Sequence, residues 1–583
     1  MTRRLALLAV FTLLSMIALA PAALAAMDVD GIEELLPREM SREEALHLSE
    51  YLEASGDRLA TPPPLAPIRN VAEWEPVTGV LIRYPLGLPY DLLQDFDDNL
   101  TLHVIVSSAS YDAAVSNMTA NGVDMSHVQF LIKPNESIWT RDYGPWYVFD
   151  GNGDVGIIDH KYNVLSRPND NLIPVHFAEQ QGIPCYRHDM VHTGGNYMTD
   201  GAHIGCSTWK VYNEAWSYNA MPPQAVQQLM FDYYGIENYV VLDYIESGGI
   251  HHIDTWAKFL DEETVMVKDV PTSHATYNNL NQRAALLASL PSSTGRNYQV
   301  HRVYCYLVSS GPASYTNSLI LNDHIYVPVF GDATYDEDAI AAFQEAAPGY
   351  TVQGYYYSGF LSDDALHCRA KGAYDVGMLR VAHVPILEQQ EGAVTVSAMV
   401  RDHSNTGVSA VELHYRQNGG DWQVAAMHGI GGYEYKALIL PPVSDGRTDY
   451  YIHAIDNSGR DEGMPRVEPA AWYSFDHLVG DLTAVEGVTP ARPAALHANY
   501  PNPFNPSTKF SFTLLYADQV ELTVFDPQGR LVRTLIDGLV PAGDTSVTWD
   551  GRDDAGQALP SGVYLYRLRA AGLQYSRPAT LLK

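Results

Sequence analysis

Two stretches of this chain, Thr193-Gly194-Gly195-Asn196-Tyr197-Met198-Thr199-Asp200 and Ser247-Gly248-Gly249-Ile250-His251-His252-Ile253-Asp254, echo each other. They share a hydroxyl residue, paired glycines and a closing aspartate at identical spacing, which marks a repeated strand-turn unit. From Val71 to about Ala382 apolar runs such as GVLIRYPL, LHVIVSS and LILNDHIYVPVF alternate with helical segments such as DEDAIAAFQEAAPG. That texture is α/β, with the echo as its internal period.

Working outward, the block is too short to account for the whole chain. At 583 residues the protein exceeds what one core organises, so several domains are expected. Residues 1–26 read as a secretory leader: Arg3 and Arg4, an apolar run from Leu5 to Ala20, then Ala23-Leu24-Ala25 for cleavage. Residues 27–70 read as a pro-segment or linker, with a helical piece SREEALHLSEYLEAS that Ser41 can N-cap, followed by TPPPLAP. The catalytic block is assigned 71–383. Residues 384–480 carry short alternating strands (AVTVSAMVRDHSN, VSAVELHYRQNGGDW, RTDYYIHAIDNSG), as in a β-sandwich. Residues 481–583 form a linker and a second sandwich, with YPNPFNPST, VFDPQGR and SGVYLYRL. No stretch after the leader reaches membrane-spanning length, so an exported, soluble protein is expected.

The formal net charge of −33 argues against a nucleic-acid partner, which needs clustered lysine and arginine. Four cysteines, Cys185, Cys206, Cys305 and Cys368, are too few for a disulfide scaffold and include no CxxC metal pair. Export makes some pairing plausible, Cys185 and Cys206 being nearest in sequence.

Three segments carry chemistry. In GGIHHIDTWAKF, a strand after a Gly-Gly turn puts His252 and Asp254 on one face and His251 and Ile253 on the other. A histidine beside a carboxylate can be oriented or held protonated, whereas one beside isoleucine suits packing. A purely structural role for both histidines, or a zinc site lacking a third ligand, also fits this segment alone. In SIWTRDYGPWYVFDG, strand geometry groups Trp139 with Arg141 and Thr140 with Asp142, and a carboxylate flanked by aromatics suits a planar cation. An ion pair with Arg141 is the alternative. In SDDALHCRAKG, His367, Arg369 and Lys371 surround Cys368, and positive neighbours favour thiolate, although an inert thiol fits as well. Together the segments suit a guanidinium: Asp142 and Asp254 clamp it, Cys368 attacks its carbon, and His252 moves protons.

With WTRDYGPW, HTGGNYMTDG, HHIDTWAKF, YTNSLILN and DALHC in that order over about 240 residues, the chain resembles the bacterial (Porphyromonas-type) peptidylarginine deiminases and the related agmatine deiminases. The resemblance implies a five-bladed pentein α/β propeller followed by two all-β immunoglobulin-like sandwiches. It also implies metal-independent and cofactor-independent hydrolysis of arginine in a peptide or protein to citrulline and ammonia. It places the nucleophile on Cys368, the acid-base histidine on His252, the clamping carboxylates on Asp142 and Asp254, and the active-site asparagine on Asn317. Trp139 would line the substrate pocket. Of the two arginines that grip a substrate carboxylate in such an enzyme, YNVLSRPND keeps only Arg167. The final module resembles a type IX secretion sorting domain, which implies export machinery as a partner and a secreted or cell-surface location in a bacterium. Agmatine deiminase, or a catalytically dead secreted binding protein, are the alternatives.

Overall fold

A computed structural model of the chain describes Leu36 and residues 39–48, 50–51, 60–96, 100–479, 494–514, 518–541, 543–570 and 573–583. The expected leader lies outside the described residues. The chain divides into two compact units: one comprises residues 1–346 and 351–374, the other 347–350 and 375–583.

The first unit is built from one pattern used five times. A short strand pairs antiparallel with a second strand, which pairs parallel with a third. Trp146–Phe149, Val155–Tyr162 and Cys185–His192 form one such set, with Arg69–Asn70 added at the outer edge of the short strand. Met198–Thr199, Ile204–Thr208 and Asn238–Leu242 form the next. Ala257–Phe259, Thr264–Asp269 and Gln299–Tyr304 follow, then Leu319–Leu321, His324–Val329 and Thr351–Tyr356. The last set joins distant parts of the chain: Lys371–Tyr374 pairs antiparallel with Val77–Arg83, which runs parallel to Thr101–Val106 and on to Val128–Ile132.

Parallel neighbours require a crossover, and helices supply it. Ile173–Gln181, Tyr277–Ser289 and Ala333–Ala346 each link the two parallel strands of a set, and Lys210–Asn219 with Pro223–Tyr234 do so in another. Strands covered on both faces need apolar residues throughout rather than alternation. Accordingly Ile204–Thr208 is buried at every position and Val77–Arg83 at all but one. Gly182 and Gly235 end two of the helices in the left-handed conformation, where a side chain would be strained.

Among the described residues, the regular elements of the second unit are all β, apart from residues 347–350, which carry none. One four-stranded sheet and one six-stranded sheet, from Leu379–Ala382 to Tyr473–Leu478, enclose Val396, Val400, Leu413, Ile439, Tyr450 and Ile452. From Ala494 on, sheets of three and four strands enclose Phe510, Phe512, Trp549, Tyr566 and Leu568. Their strands alternate buried and open positions, as in Gly562–Ala570, because one face of each meets water. The first sandwich-type strand, Leu379–Ala382, begins a few residues before the expected boundary at 384.

Candidate active site

Each of the five short strands is entered through a tight turn, and those turns bring the candidate residues together. Asp142 lies in the helical turn Thr140–Tyr143 ahead of Trp146–Phe149. Asp254 is the middle residue of the 3-10 turn Ile253–Thr255, ahead of Ala257–Phe259, and Cys368 the middle residue of His367–Arg369, ahead of Lys371–Tyr374. Asn317 precedes Leu319–Leu321. In the fifth turn, Gly194–Asn196 ahead of Met198–Thr199, the middle residue is Gly195.

This equivalence corrects three readings of the sequence. Both segments do enter a short strand through a 3-10 turn, but not in the echoed register: the topology pairs Gly195 with Asp254 rather than with Gly249, so the matched glycines and aspartates are not equivalent. Around both Asp142 and His252 the chain forms no strand. His252 is an extended residue at φ −77° that caps the following 3-10 turn, and His251 before it is left-handed at φ 58°. That reversal, not period-two alternation, separates the two histidines. The His251 ring stacks on Tyr244 at 4.0 Å between centroids, and its carbonyl accepts from Thr208.

The five candidates are nearly or fully buried. The Asn317 side chain donates to Cys368 Sγ at 3.3 Å, while its oxygen accepts from the backbone N–H of Ala365 and of Cys368. Cys368 Sγ lies 3.7 Å from Asp254 Oδ2. His252 Nδ1 lies 3.6 Å from Asp142 Oδ1, which also accepts the Gly195 N–H at 3.1 Å. Gly195 sits where these groups converge. A Cβ built on it would lie 2.7 Å from Asp142 Oδ1, 2.7 Å from His252 Nδ1 and 3.2 Å from Asp254 Oδ2. At the position equivalent to Asp254 and Cys368, glycine is what lets two carboxylates and an imidazole close in, with no room left for a side chain. Trp139 packs with Ile138 and Cys368. Arg167 is buried farther out, with its Nε 3.9 Å from Glu44.

The cations beside Cys368 in sequence do not serve the thiol. Arg369 forms a bidentate pair with Asp364, at 2.6 and 3.1 Å, and donates to the Gly87 and Gly359 carbonyls. Lys371 Nζ lies 3.4 Å from the Trp146 ring centre, and burial together with Arg141 pushes its pKa well down. The His367 ring bonds Asp254 Oδ2 through Nδ1 at 2.8 Å and Glu73 Oε2 through Nε2 at 2.5 Å. Burial raises the Glu73 pKa, but His367, Lys258 and Arg141 outweigh it and hold the carboxyl well below its ordinary range. Burial and Arg141 push His367 down, opposed by its two carboxylate contacts. Each ring nitrogen faces a carboxylate oxygen, so Glu73 and Asp254 fix the imidazole from both sides and His367 fixes Asp254 in return.

The sequence reading missed Glu73, His367 in this role, and Gly195. Gly195 was quoted within the echo, and its meaning needed the topology. Glu73 reaches His367 across 294 residues of chain, a distance no local pattern signals.

Among the described residues, the group of histidine and carboxylate side chains close enough to share an ion is His453, Asp461 and Glu468, in the second unit. There Nδ1 of His453 is 2.6 Å from Glu468 and Nε2 3.4 Å from Asp461, so both nitrogens are committed to ion pairs. No disulfide joins any of the four cysteines, Cys185 and Cys206, the nearest in sequence, included. No helix among the described residues is long and apolar enough to cross a membrane.

The Porphyromonas-type peptidyl-arginine deiminase family matches residues 69–371, and the chain belongs to that family. An FlgD Ig-like domain matches residues 504–573. A Legionella pneumophila protein that carries the name agmatine deiminase is 23% identical over 248 residues, 39% of this chain and 69% of that protein. One from Enterococcus faecalis with the same name is 24% identical over 257 residues, 38% and 70% of the two chains. Among solved structures, an arginine deiminase from Porphyromonas gingivalis aligns over 53% of this chain and 99% of its own, at 20% identity and a TM-score of 0.47.

Proposed function

We propose that the chain hydrolyses the arginine side chain of peptides or proteins to citrulline and ammonia, with Cys368 as nucleophile. The observation that carries the proposal is one buried cluster in which Cys368 meets Asn317 and Asp254, while Asp254, Asp142 and His252 close around Gly195. A guanidinium is planar and cationic, and its carbon resists attack because its charge is delocalised. Carboxylates at two edges would hold its nitrogens, keeping the carbon within reach of a thiolate.

Sγ adds to the guanidino carbon. The bond to one terminal nitrogen breaks as that nitrogen takes a proton from His252 and leaves as ammonia. A water then gives a proton to His252 and adds to the same carbon, and the C–S bond breaks as the added oxygen gives up its remaining proton to solvent, releasing citrulline and the thiolate. The Asn317 amide stabilises charge on sulfur, and Asp142 orients the His252 ring. Each turn is carried on a different sheet of the fivefold pattern, which supports closure into a five-bladed propeller. Agmatine is the second candidate substrate, favoured by the names of the two relatives. The two appended β-sandwich regions and the leader-like start favour a peptide substrate outside the cytoplasm, with the final module addressing the chain to an export apparatus.

The test compares the protein with Cys368→Ala on an internal-arginine peptide, a C-terminal-arginine peptide, free arginine and agmatine, measuring citrulline or its analogue and ammonia. Turnover of a peptide, lost in the variant, is expected. Turnover by the variant overturns the thiol mechanism, and turnover of agmatine alone moves the substrate to the second reading.

A further inference from the structure

Four polar contacts join Leu36 and residues 39–46 to three separate elements near the site. The Trp139 indole Nε1, on the residue that packs against Cys368, donates to the Leu36 carbonyl at 3.0 Å. Lys210, on the helix that begins two residues after the Thr208 partner of His251, donates to Glu39 Oε1 at 2.8 Å. Glu44 Oε1 accepts from Ser166 Oγ at 2.5 Å and lies 3.9 Å from Arg167 Nε, in the loop expected to meet substrate.

The same glutamate organises its own helix. Ser41 caps Arg42–Leu46, and Glu44 Oε2 returns to the Ser41 N–H at 2.6 Å, so both Glu44 oxygens are used. Burial raises the Glu44 pKa, yet its bonds to Ser166 and Ser41 and the nearby Arg167 bring it below the ordinary value. Lys210 is held in turn by Glu214 at 3.3 Å, and Glu214 by Asn163 at 2.8 Å, so the ammonium has a fixed direction before any partner arrives. In a chain of net charge −33, two cations fixed at the border of a site for a cationic side chain are conspicuous, since they would repel the substrate's guanidinium. Carboxylates are what they fit.

We infer that the border of the site carries a binding groove for an acidic peptide segment, built from Trp139, Ser166, Arg167 and Lys210, and that Leu36 and residues 39–46 of this chain occupy it. The segment is then an internal competitor, and a protein substrate must displace it to bring its arginine to Cys368. This regulatory consequence rests on the deiminase reading above; the groove itself does not. The groove also sets a preference, because a substrate with acidic residues flanking its arginine regains the contacts that Glu39 and Glu44 give up.

The test uses the full chain and the double variant Glu39→Gln/Glu44→Gln, with Glu50→Gln at an exposed position as the charge control. Glutamine at 44 keeps the capping bond to Ser41, so the helix itself is preserved. Two readouts are taken: trypsin cleavage after Arg42, and kcat/KM on an internal-arginine peptide flanked by glutamates or by lysines. The double variant should be cleaved about tenfold faster and turn over the peptides about tenfold faster, the scale for losing two partly exposed ion pairs. Lys210→Met should release the segment in the same way and erase the preference for flanking glutamate. Cleavage and turnover unchanged in the double variant overturn the groove. Faster cleavage with no turnover in any form upholds the groove and overturns the deiminase reading.

Discussion

Replacing Gly195 with alanine tests the site at its narrowest point. The added methyl would lie 2.7 Å from both Asp142 Oδ1 and His252 Nδ1, against about 3.4 Å for ordinary contact. Two buried side chains must therefore retreat by about 0.7 Å, or the turn must shift under them. A displacement of about 1 Å at a reacting centre costs on the order of 10²-fold in rate, so kcat/KM should fall about 30- to 100-fold, or about 2–3 kcal/mol of transition-state stabilisation. Overpacking of a buried site costs about 1–3 kcal/mol of stability, which lowers Tm by a few degrees without unfolding the protein. Two neighbouring glycines calibrate the result. Gly248→Ala meets nothing within 4 Å and should behave as the parent. Gly194→Ala would place its methyl 2.1 Å from the Arg141 carbonyl, which is backbone and cannot give way, so that chain should fold poorly. The assay is steady-state turnover of an internal-arginine peptide alongside thermal unfolding. Full turnover by Gly195→Ala at the parental Tm would show that the close approach of Asp142 and His252 over Gly195 does not set the geometry of the reaction.

Replacement of the adjacent histidines should separate them. His252→Ala should abolish turnover, whereas His251→Gly, which suits the left-handed backbone and removes only the Tyr244 stack, should retain it; equal losses in two folded variants refute the assignment. His367→Asn and Glu73→Gln should each lower kcat/KM about 10-fold by loosening Asp254, raise KM and shift the pH profile together, since both break one chain of hydrogen bonds. Unchanged KM and pH profile in folded variants would show that the chain is only structural. His103 is buried against Phe177, and burial brings its pKa from 6.5 down to about 4. Its neutral form is favoured in the folded state, so its contribution is complete above pH 6.5 and is lost as pH falls toward 4, up to about 3 kcal/mol. His103→Gln should flatten that acid limb of thermal stability, and an unchanged slope between pH 4 and 6.5 refutes the assignment.

The sequence singled out residues that the fold clusters, but not the conformation in which it holds them. Motifs such as WTRDYGPW and DALHC pointed to residues that converge, because short glycine-rich and aromatic signatures survive in a linear reading. Helices and strands with strong periodicity were also legible, among them Ala333–Ala346 and Val394–Asp402. Conformation inside the site stretches was not. A single helical or 3-10 turn is too short to impose a period, so alternation was read into Trp139–Asp142 and His251–Asp254 where the chain turns. Charge neighbours misled for a related reason. Residues next to Cys368 in sequence leave the turn in different directions, and Arg369 and Lys371 end on Asp364 and Trp146. The partners that do reach Asp254 through His367 come from the far end of the unit.

The strand Lys371–Tyr374 has a consequence for the time before the protein is complete. It pairs with Val77–Arg83, about 290 residues earlier, and carries Cys368 into place as it does so. At ~5–20 residues per second, a ribosome takes roughly 15–60 s between making the first of these strands and the second. Through that interval Val77–Arg83 exposes an unpaired apolar edge of the kind that recruits other chains. Synthesis of the last few residues of the unit therefore ends that exposure and sets Cys368 among its neighbours in one event, so the cluster around Cys368 cannot form before the chain has finished closing on itself.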